Sequence, residues 1–242
     1  MQQFDTTFDA VFAANNLSDY ANEQNKQIYR ALCAHILEVN KIHNLTAIRD
    51  VPGVITKHFA DSLTIAKYIP QGASLIDVGT GGGFPTLPLA IFRPDLDITA
   101  LDGTAKRIEY VKNTAKLLGL TNVTAITGRA EEFAAKSEFR ETFDFATARA
   151  VASLPVLTEL CLPFVKVGGV FASMKAAQGK AELESAANAI SLCGGKLLSA
   201  DSFSLTQDNV EFEDRVIITI SKAKQTPQKY PRHYSQISKK PL

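Results

Sequence analysis

Leu75-Ile76-Asp77-Val78-Gly79-Thr80-Gly81-Gly82-Gly83-Phe84-Pro85 is the stretch whose reading decides the fold. Its first four residues are mostly apolar and suit a central strand, and the glycines behind them permit positive φ and let backbone amides approach a ligand closely. Pro85 suits the first position of a following helix, where its missing N–H costs nothing. A helix start beside a glycine turn is a ready site for a carboxylate or phosphate. A nucleotide-like ligand is therefore expected at this turn.

From the turn outward, β-rich runs alternate with helical ones. Strands are expected at Ser74–Val78, 97–101, 123–127, 143–148 and 169–174, then near 196–205 and 215–221, with helices over 105–118 and 154–165. Such alternation implies βαβ units and a parallel sheet with right-handed crossovers. The last two strands leave no room for a helix between them and read as an antiparallel pair at one edge. The expected fold class is α/β: a doubly wound, Rossmann-like sheet of seven strands with one reversed, the variation found in methyltransferases. Upstream, Ile28, Leu32, Ile36 and Val39 mark an amphipathic helix running to about Asn40, with Ser18 as its N-cap. Residues 1–70 thus read as a helical N-terminal extension, 71–221 as the cofactor-binding catalytic domain, and 222–242 as a basic C-terminal tail.

Spacing narrows the ligand. A dinucleotide fingerprint, Gly-x-Gly-x-x-Gly, would need glycine where Phe84 or Thr86 stands. What remains is Asp-x-Gly-x-Gly-x-Gly, the form seen in methyltransferases that bind S-adenosylmethionine, where no pyrophosphate must be held. Asp77 would set the turn and reach the amino acid end of that cofactor, with Gly79 and Gly81 presenting backbone. Asp102 ends the next strand, where an acid binds both ribose hydroxyls; as a bland alternative it caps the helix starting near Ala105. The run Gly128-Arg129-Ala130-Glu131-Glu132 follows the third strand, where such sheets meet adenine, although Glu131 equally suits a first-turn acid complementing the helix dipole. Arg149 ends the fourth strand at the switch point, where donor and acceptor meet. The Asn/Asp-Pro-Pro-aromatic signature of amine methylation is missing there. Cys161 falls inside the expected helix 154–165, not where a nucleophile for a pyrimidine carbon would stand.

Composition excludes little. Hydrophobic residues at 45% and charged residues at 21% of 242 are ordinary for a globular chain. No basic leader region and no apolar stretch long enough to cross a bilayer is seen, so a cytoplasmic protein without a membrane partner is expected. Cys33, Cys161 and Cys193 are scattered and odd in number, which fits buried thiols in a reducing compartment. His35, His43, His58 and His233 lack metal-ligand spacing, so no metal is expected, and His35 reads as a structural histidine. Net charge is only +1 but uneven: the first 25 residues carry four acids and no base, whereas from Arg215 onward there are seven bases and no acid. That asymmetry suits either a polyanionic partner or a solvated tail. Tyr230 and Tyr234, interleaved with the basic residues, would stack on bases or pack on the domain.

Taken in order, Asn44-Leu45-Thr46, His58-Phe59-Ala60-Asp61-Ser62, the turn from Asp77 to Pro85, Lys106-Arg107, Arg129-Ala130-Glu131, Ala148-Arg149-Ala150 and the segment from Thr226-Pro227 to Tyr230-Pro231-Arg232 form one pattern. It resembles the bacterial small-subunit rRNA guanine-N7 methyltransferases, also called glucose-inhibited division protein B, over nearly the whole chain. The resemblance implies that Gly79, Phe84, Ala130, Glu131 and Arg149 contact S-adenosylmethionine and that the substrate is a guanine of 16S rRNA, free or within the 30S subunit. Guanine N7 has an in-plane lone pair and no proton, so no general base is expected. Its product ring is cationic, so Arg149 or Lys175 would address guanine O6, a phosphate or the cofactor carboxylate instead of N7. His58 and Asp61-Ser62 read as helix caps. Two positions depart from the pattern: Gly82 and Thr86 stand where a small non-glycine residue and a glycine are usual, and 233–237 replaces a segment richer in Gly and Pro. A monomer is expected. The alternatives are a non-catalytic rRNA-binding assembly factor on the same fold and a nicotinamide-dependent oxidoreductase, the latter lacking both its glycine spacing and a Tyr-x-x-x-Lys pair.

Overall fold

The computed structural model describes residues 2–43, 45–207 and 210–242; at residues 2, 43 and 210–213 the backbone alone is described. Asn44 of the motif Asn44-Leu45-Thr46 lies outside the described residues. Helix α1 (Gln2–Ala14) places Phe4, Phe8, Val11 and Phe12 on one buried stripe. Helix α2 (Glu23–His43) starts later than the sequence suggested. Ser18 belongs to a separate 3₁₀ turn (Ser18–Tyr20), and the cap is Asn22, whose side chain accepts from the Asn25 amide at 2.9 Å. Leu32 and Ile36 of the expected stripe are buried and are joined by Tyr29 and Cys33, while Ile28 and Val39 are half-buried. Phe8, Phe12, Tyr29 and Phe59 meet ring to ring, and the Tyr29 hydroxyl donates to the Pro88 carbonyl at 2.8 Å. Burying each such ring stabilises by roughly 2–3 kcal/mol, so this cluster fixes the N-terminal helices to the body.

Residues 51–63 form one continuous helical segment: α3 (Val51–Gly53), a π-helical stretch (Val54–Ala60) and α4 (Asp61–Leu63). Asp50 caps it by accepting from the Gly53 amide at 2.8 Å. The sheet comprises β1 (Ser74–Val78), β2 (Asp97–Asp102), β3 (Val123–Thr127), β4 (Phe143–Arg149), β5 (Val165–Ala176), β6 (Gly195–Gln207) and β7 (Val210–Lys222). Their order is β3-β2-β1-β4-β5-β7-β6, with β7 antiparallel to both neighbours. This is the doubly wound sheet with one reversed strand that the alternation implied. Side chains alternate between two cores. Leu75 and Phe145 face α1, α2, α5 (Thr86–Phe92) and α6 (Ala105–Leu117), while Ile76 and Ala146 face α7 (Ala130–Phe133), α8 (Leu154–Cys161) and α9 (Glu182–Leu192). The helix expected over 154–165 stops at Cys161, because Pro163 lacks an N–H and Leu162–Phe164 tightens into a 3₁₀ turn before β5. Pro85, joined to Phe84 by a cis peptide bond, sits one residue before α5 rather than inside it.

All three cysteines are buried, and burial pushes the thiols of Cys33 and Cys193 up to about 12. Among the described residues no helix is long and apolar enough to cross a membrane. The basic tail packs back on the domain. Arg140 donates to the Thr226 and Tyr230 carbonyls at 2.6 and 3.0 Å. The Lys222 ammonium, wholly buried, reaches Glu141 at 2.9 Å and the Leu162 carbonyl at 2.6 Å. Arg232 grips the buried Glu159 carboxylate with two nitrogens, at 2.8 and 2.6 Å, just ahead of α10 (Tyr234–Lys239). Lys222, Arg232 and Tyr230 are therefore tied to the domain, and for Tyr230 packing accounts for its burial.

Removing one partner of a buried, hydrogen-bonded ion pair leaves the other uncompensated, at a cost of about 3 kcal/mol. Arg232→Ala, which leaves the wholly buried Glu159 carboxylate without its cation, is expected to lower stability by about that much in urea denaturation. It should also open the C-terminal segment to limited proteolysis; a variant as stable and as resistant as the parent would contradict this anchoring.

Candidate active site

The turn after β1 is pinned from below, with the Gly79 and Thr80 amides donating to the Leu101 carbonyl at 2.8 and 3.1 Å. Gly79 adopts φ +78°, and a Cβ there would come within 2.6 Å of Val151, so both backbone shape and the neighbouring loop require glycine. That loop is held tightly: Ala150 itself has φ 56°, a left-handed conformation costly for alanine, and brings Val151 over the turn. Where the carboxyl ends of β1, β2, β3 and β4 converge, a cavity of about 450 Å³ opens. Ligands in open α/β sheets bind at this position, and the volume suits a small molecule.

The structure brings Gly79, Gly81, Phe84, Asp102, Ala130, Glu131 and Arg149 together on the walls of this cavity. Asp102 is buried, accepting from the Gly81 amide at 3.0 Å and the Thr104 amide at 2.8 Å, so it braces both the glycine turn and the turn that leads into α6. Glu131, also buried, lies in the first turn of α7 and on the cavity wall, a place compatible with both readings of it. Two expected residues are elsewhere. Asp77 is fully buried behind the turn, accepting from the Thr86 hydroxyl at 2.7 Å, and burial pushes its carboxyl up to about 6. It supports the turn from within rather than lining the cavity. Lys175 is likewise absent from the cavity wall: its ammonium is bound to the Ala152 carbonyl at 2.6 Å and to Glu182 at 2.9 Å.

Residues read as helix caps contribute more than that. Asp61, buried, accepts from Arg149 at 2.8 Å and from Arg215 at 3.0 Å, and its side chain caps nothing. Arg149 also donates to the Lys57 carbonyl at 3.0 Å. The His58 ring stacks on Phe84 at 4.1 Å and 9°, and the Arg149 guanidinium carbon lies 5.3 Å from the same Phe84 ring. His58 Nε2 is 2.9 Å from the Thr46 hydroxyl, and Nδ1 is 3.4 Å from Arg149. Burial, with Arg149 adding to it, holds the His58 pKa at about 3. Arg107, Arg129 and Tyr234 complete the polar rim. His58 and Asp61 are in the sequence motif, but a π-helical stretch carrying one and leading into the other departs from the 3.6-residue period by which helix faces are read.

Comparison with known proteins shows the family. A family model described as rRNA small subunit methyltransferase G matches residues 24–210. A protein named ribosomal RNA small subunit methyltransferase G from Geobacillus sp. (strain WCH70) is 45% identical over 229 residues, covering 94% of this chain and 93% of the relative. One of the same name from Leuconostoc citreum (strain KM20) is 43% identical over 236 residues, covering 96% and 97%. A crystal structure of a SAM-dependent methyltransferase from Aquifex aeolicus superposes with a TM-score of 0.51 at 15% identity, covering 78% of this chain and 97% of that one, a likeness of fold.

The buried His58 makes stability depend on pH. Its pKa falls from 6.5 to about 3 on folding, so the unfolded chain binds the proton first and stability is lost as pH drops through that window. Asp77, raised from 3.8 to about 6, acts oppositely, since the folded chain takes up its proton first, and it offsets part of the loss. His58→Gln removes the larger effect. Its urea midpoint is expected to fall less than that of the parent between neutral pH and about pH 4; an equal fall would contradict a neutral, buried His58.

Proposed function

The chain belongs to the rRNA small subunit methyltransferase G family, and from that we propose that it transfers a methyl group from S-adenosylmethionine to N7 of a guanine in 16S rRNA, in the cytoplasm. The observation that carries the proposal is the cavity at the switch point, which gathers the family's glycine turn, Asp102, Glu131 and Arg149 around one space.

The residues present fit this cofactor. At Gly81 an added Cβ would meet nothing nearer than the Gly79 carbonyl at 3.9 Å, so the backbone there faces open space that any side chain would fill. Asp102 and Glu131 offer carboxylates for ribose and adenine donors, Leu101, Ala130 and Leu160 offer apolar walls, and Arg149 offers a cation for the amino acid carboxylate. S-adenosylmethionine, when bound, supplies an electrophilic methyl group on a sulfonium.

The chain's own residues then have three tasks. The glycine turn and Asp102 hold the cofactor in one place, because the turn is pinned to the end of β2 by the Gly79, Thr80 and Gly81 amides. Asp61 and the Lys57 carbonyl fix the Arg149 guanidinium, so its donors are oriented in advance and little reorganisation is left for the reaction. The stacked His58 and Phe84 form one wall of the cavity, and the Arg149 charge beside them is paired with Asp61. Guanine N7 carries its own lone pair, so in-line attack requires alignment rather than a base. The target must be unstacked, because an RNA duplex hides N7 in its deep, narrow groove.

Incubation with methyl-labelled S-adenosylmethionine and small-subunit rRNA lacking the modification, free or assembled, tests this reading. Label should enter one guanine. Arg149→Ala loses a charge-assisted contact worth roughly 2–3 kcal/mol, so its kcat/KM is expected to fall about 30- to 150-fold. Parental turnover in that variant would remove Arg149 from the site.

A further inference from the structure

We propose that Tyr234, on the C-terminal helix α10, is a cofactor-binding residue that closes the nucleoside end of the cavity together with Arg129. This rests on the S-adenosylmethionine reading above and extends it to a residue in the C-terminal stretch 233–237.

Four observations carry it. Tyr234 lines the same cavity as Asp102, Ala130 and Glu131, although it is more than a hundred residues away from them in sequence. The Arg129 guanidinium carbon lies 5.3 Å over the Tyr234 ring. The stem of Arg129 runs across Gly103, where an added Cβ would meet Arg129 Cδ and Nη1 at 3.2 Å, so the pair spans the gap between the ends of β2 and β3. Finally, Tyr234 is held from both sides. Arg232 grips buried Glu159 two residues before it, and Ile237, fully buried, is embedded in the core three residues after it. His233 adds an N-cap, accepting from the Ser235 amide at 3.3 Å.

An aromatic ring fixed in this way at a cavity wall, with a planar cation on it, offers a preorganised stacking surface, and the chemistry it selects is a flat, π-rich heterocycle. A purine base at the β2/β3 end of the cavity is such a group. Because the ring is already immobilised by the tail anchors, little entropy is lost when a ligand stacks on it. The basic tail thereby acquires a second role besides packing: docking of the tail builds part of the cofactor site.

Calorimetric titration with S-adenosylhomocysteine and with 5′-methylthioadenosine, which keeps only the nucleoside end, tests the assignment. Tyr234→Ala is expected to weaken both ligands about tenfold, as loss of one base stack would, while Tyr234→Phe stays within about twofold of the parent. Unchanged affinity of the alanine variant for both ligands would overturn the proposal, and so would a phenylalanine variant that falls as far as alanine. Loss of rRNA affinity with cofactor affinity intact would overturn it in favour of a base of the RNA. If the parent chain bound neither ligand, the cofactor reading itself would fail, an outcome distinct from failure at Tyr234.

Discussion

One buried carboxylate holds the site in shape. Asp61 sits at the end of the π-helical stretch and accepts from Arg149 at the end of β4 and from Arg215 on β7, so the N-terminal helical layer is fastened to the strand ends that frame the cavity. A charge pair this well shielded carries a desolvation cost that only good geometry repays, and here both carboxylate oxygens are engaged. The consequence is positional. Arg149 cannot swing freely, His58 is locked between Thr46 and Phe84, and the loop carrying Ala150 and Val151 closes over Gly79. Preorganisation of this kind suits a reaction that needs alignment more than proton transfer.

The sheet was legible because β-rich runs alternate with helical ones along the chain. Leu75-Ile76-Asp77-Val78 and the glycines behind it marked the first strand and the switch point, and the two late strands, too close for a helix, disclosed the antiparallel pair at the edge. Helix boundaries were less legible. Ser18 looked like a cap, yet Asn22 caps, since either residue type can satisfy the first amides and only the backbone path chooses between them. Pro163 ended α8 four residues before the apolar pattern did.

At the site, residues tied to the strand ends were placed well by position alone: Gly79, Gly81, Asp102, Glu131 and Arg149 all reach the cavity. Lys175 did not, although it also lies near a strand end, because Glu182 on the following helix captures its ammonium. Pairwise capture of that kind leaves no trace in linear spacing. His58, Asp61 and Tyr234 were seen but undervalued for a related reason: one comes from a π-helical stretch and another from a tail, and only tertiary packing brings them to the strand ends. Of the tail's bases, Lys222 and Arg232 are paired with Glu141 and Glu159, which linear charge asymmetry does not reveal.

The central claim is that this cavity serves guanine N7 methylation of small-subunit rRNA. Its most direct measurement is a map of N7-methylguanine in 16S rRNA from cells lacking the gene, read by cleavage at the methylated base, beside the same cells carrying it again. The account predicts one N7-methylguanine lost in the first and restored in the second. An unchanged modification map would contradict it.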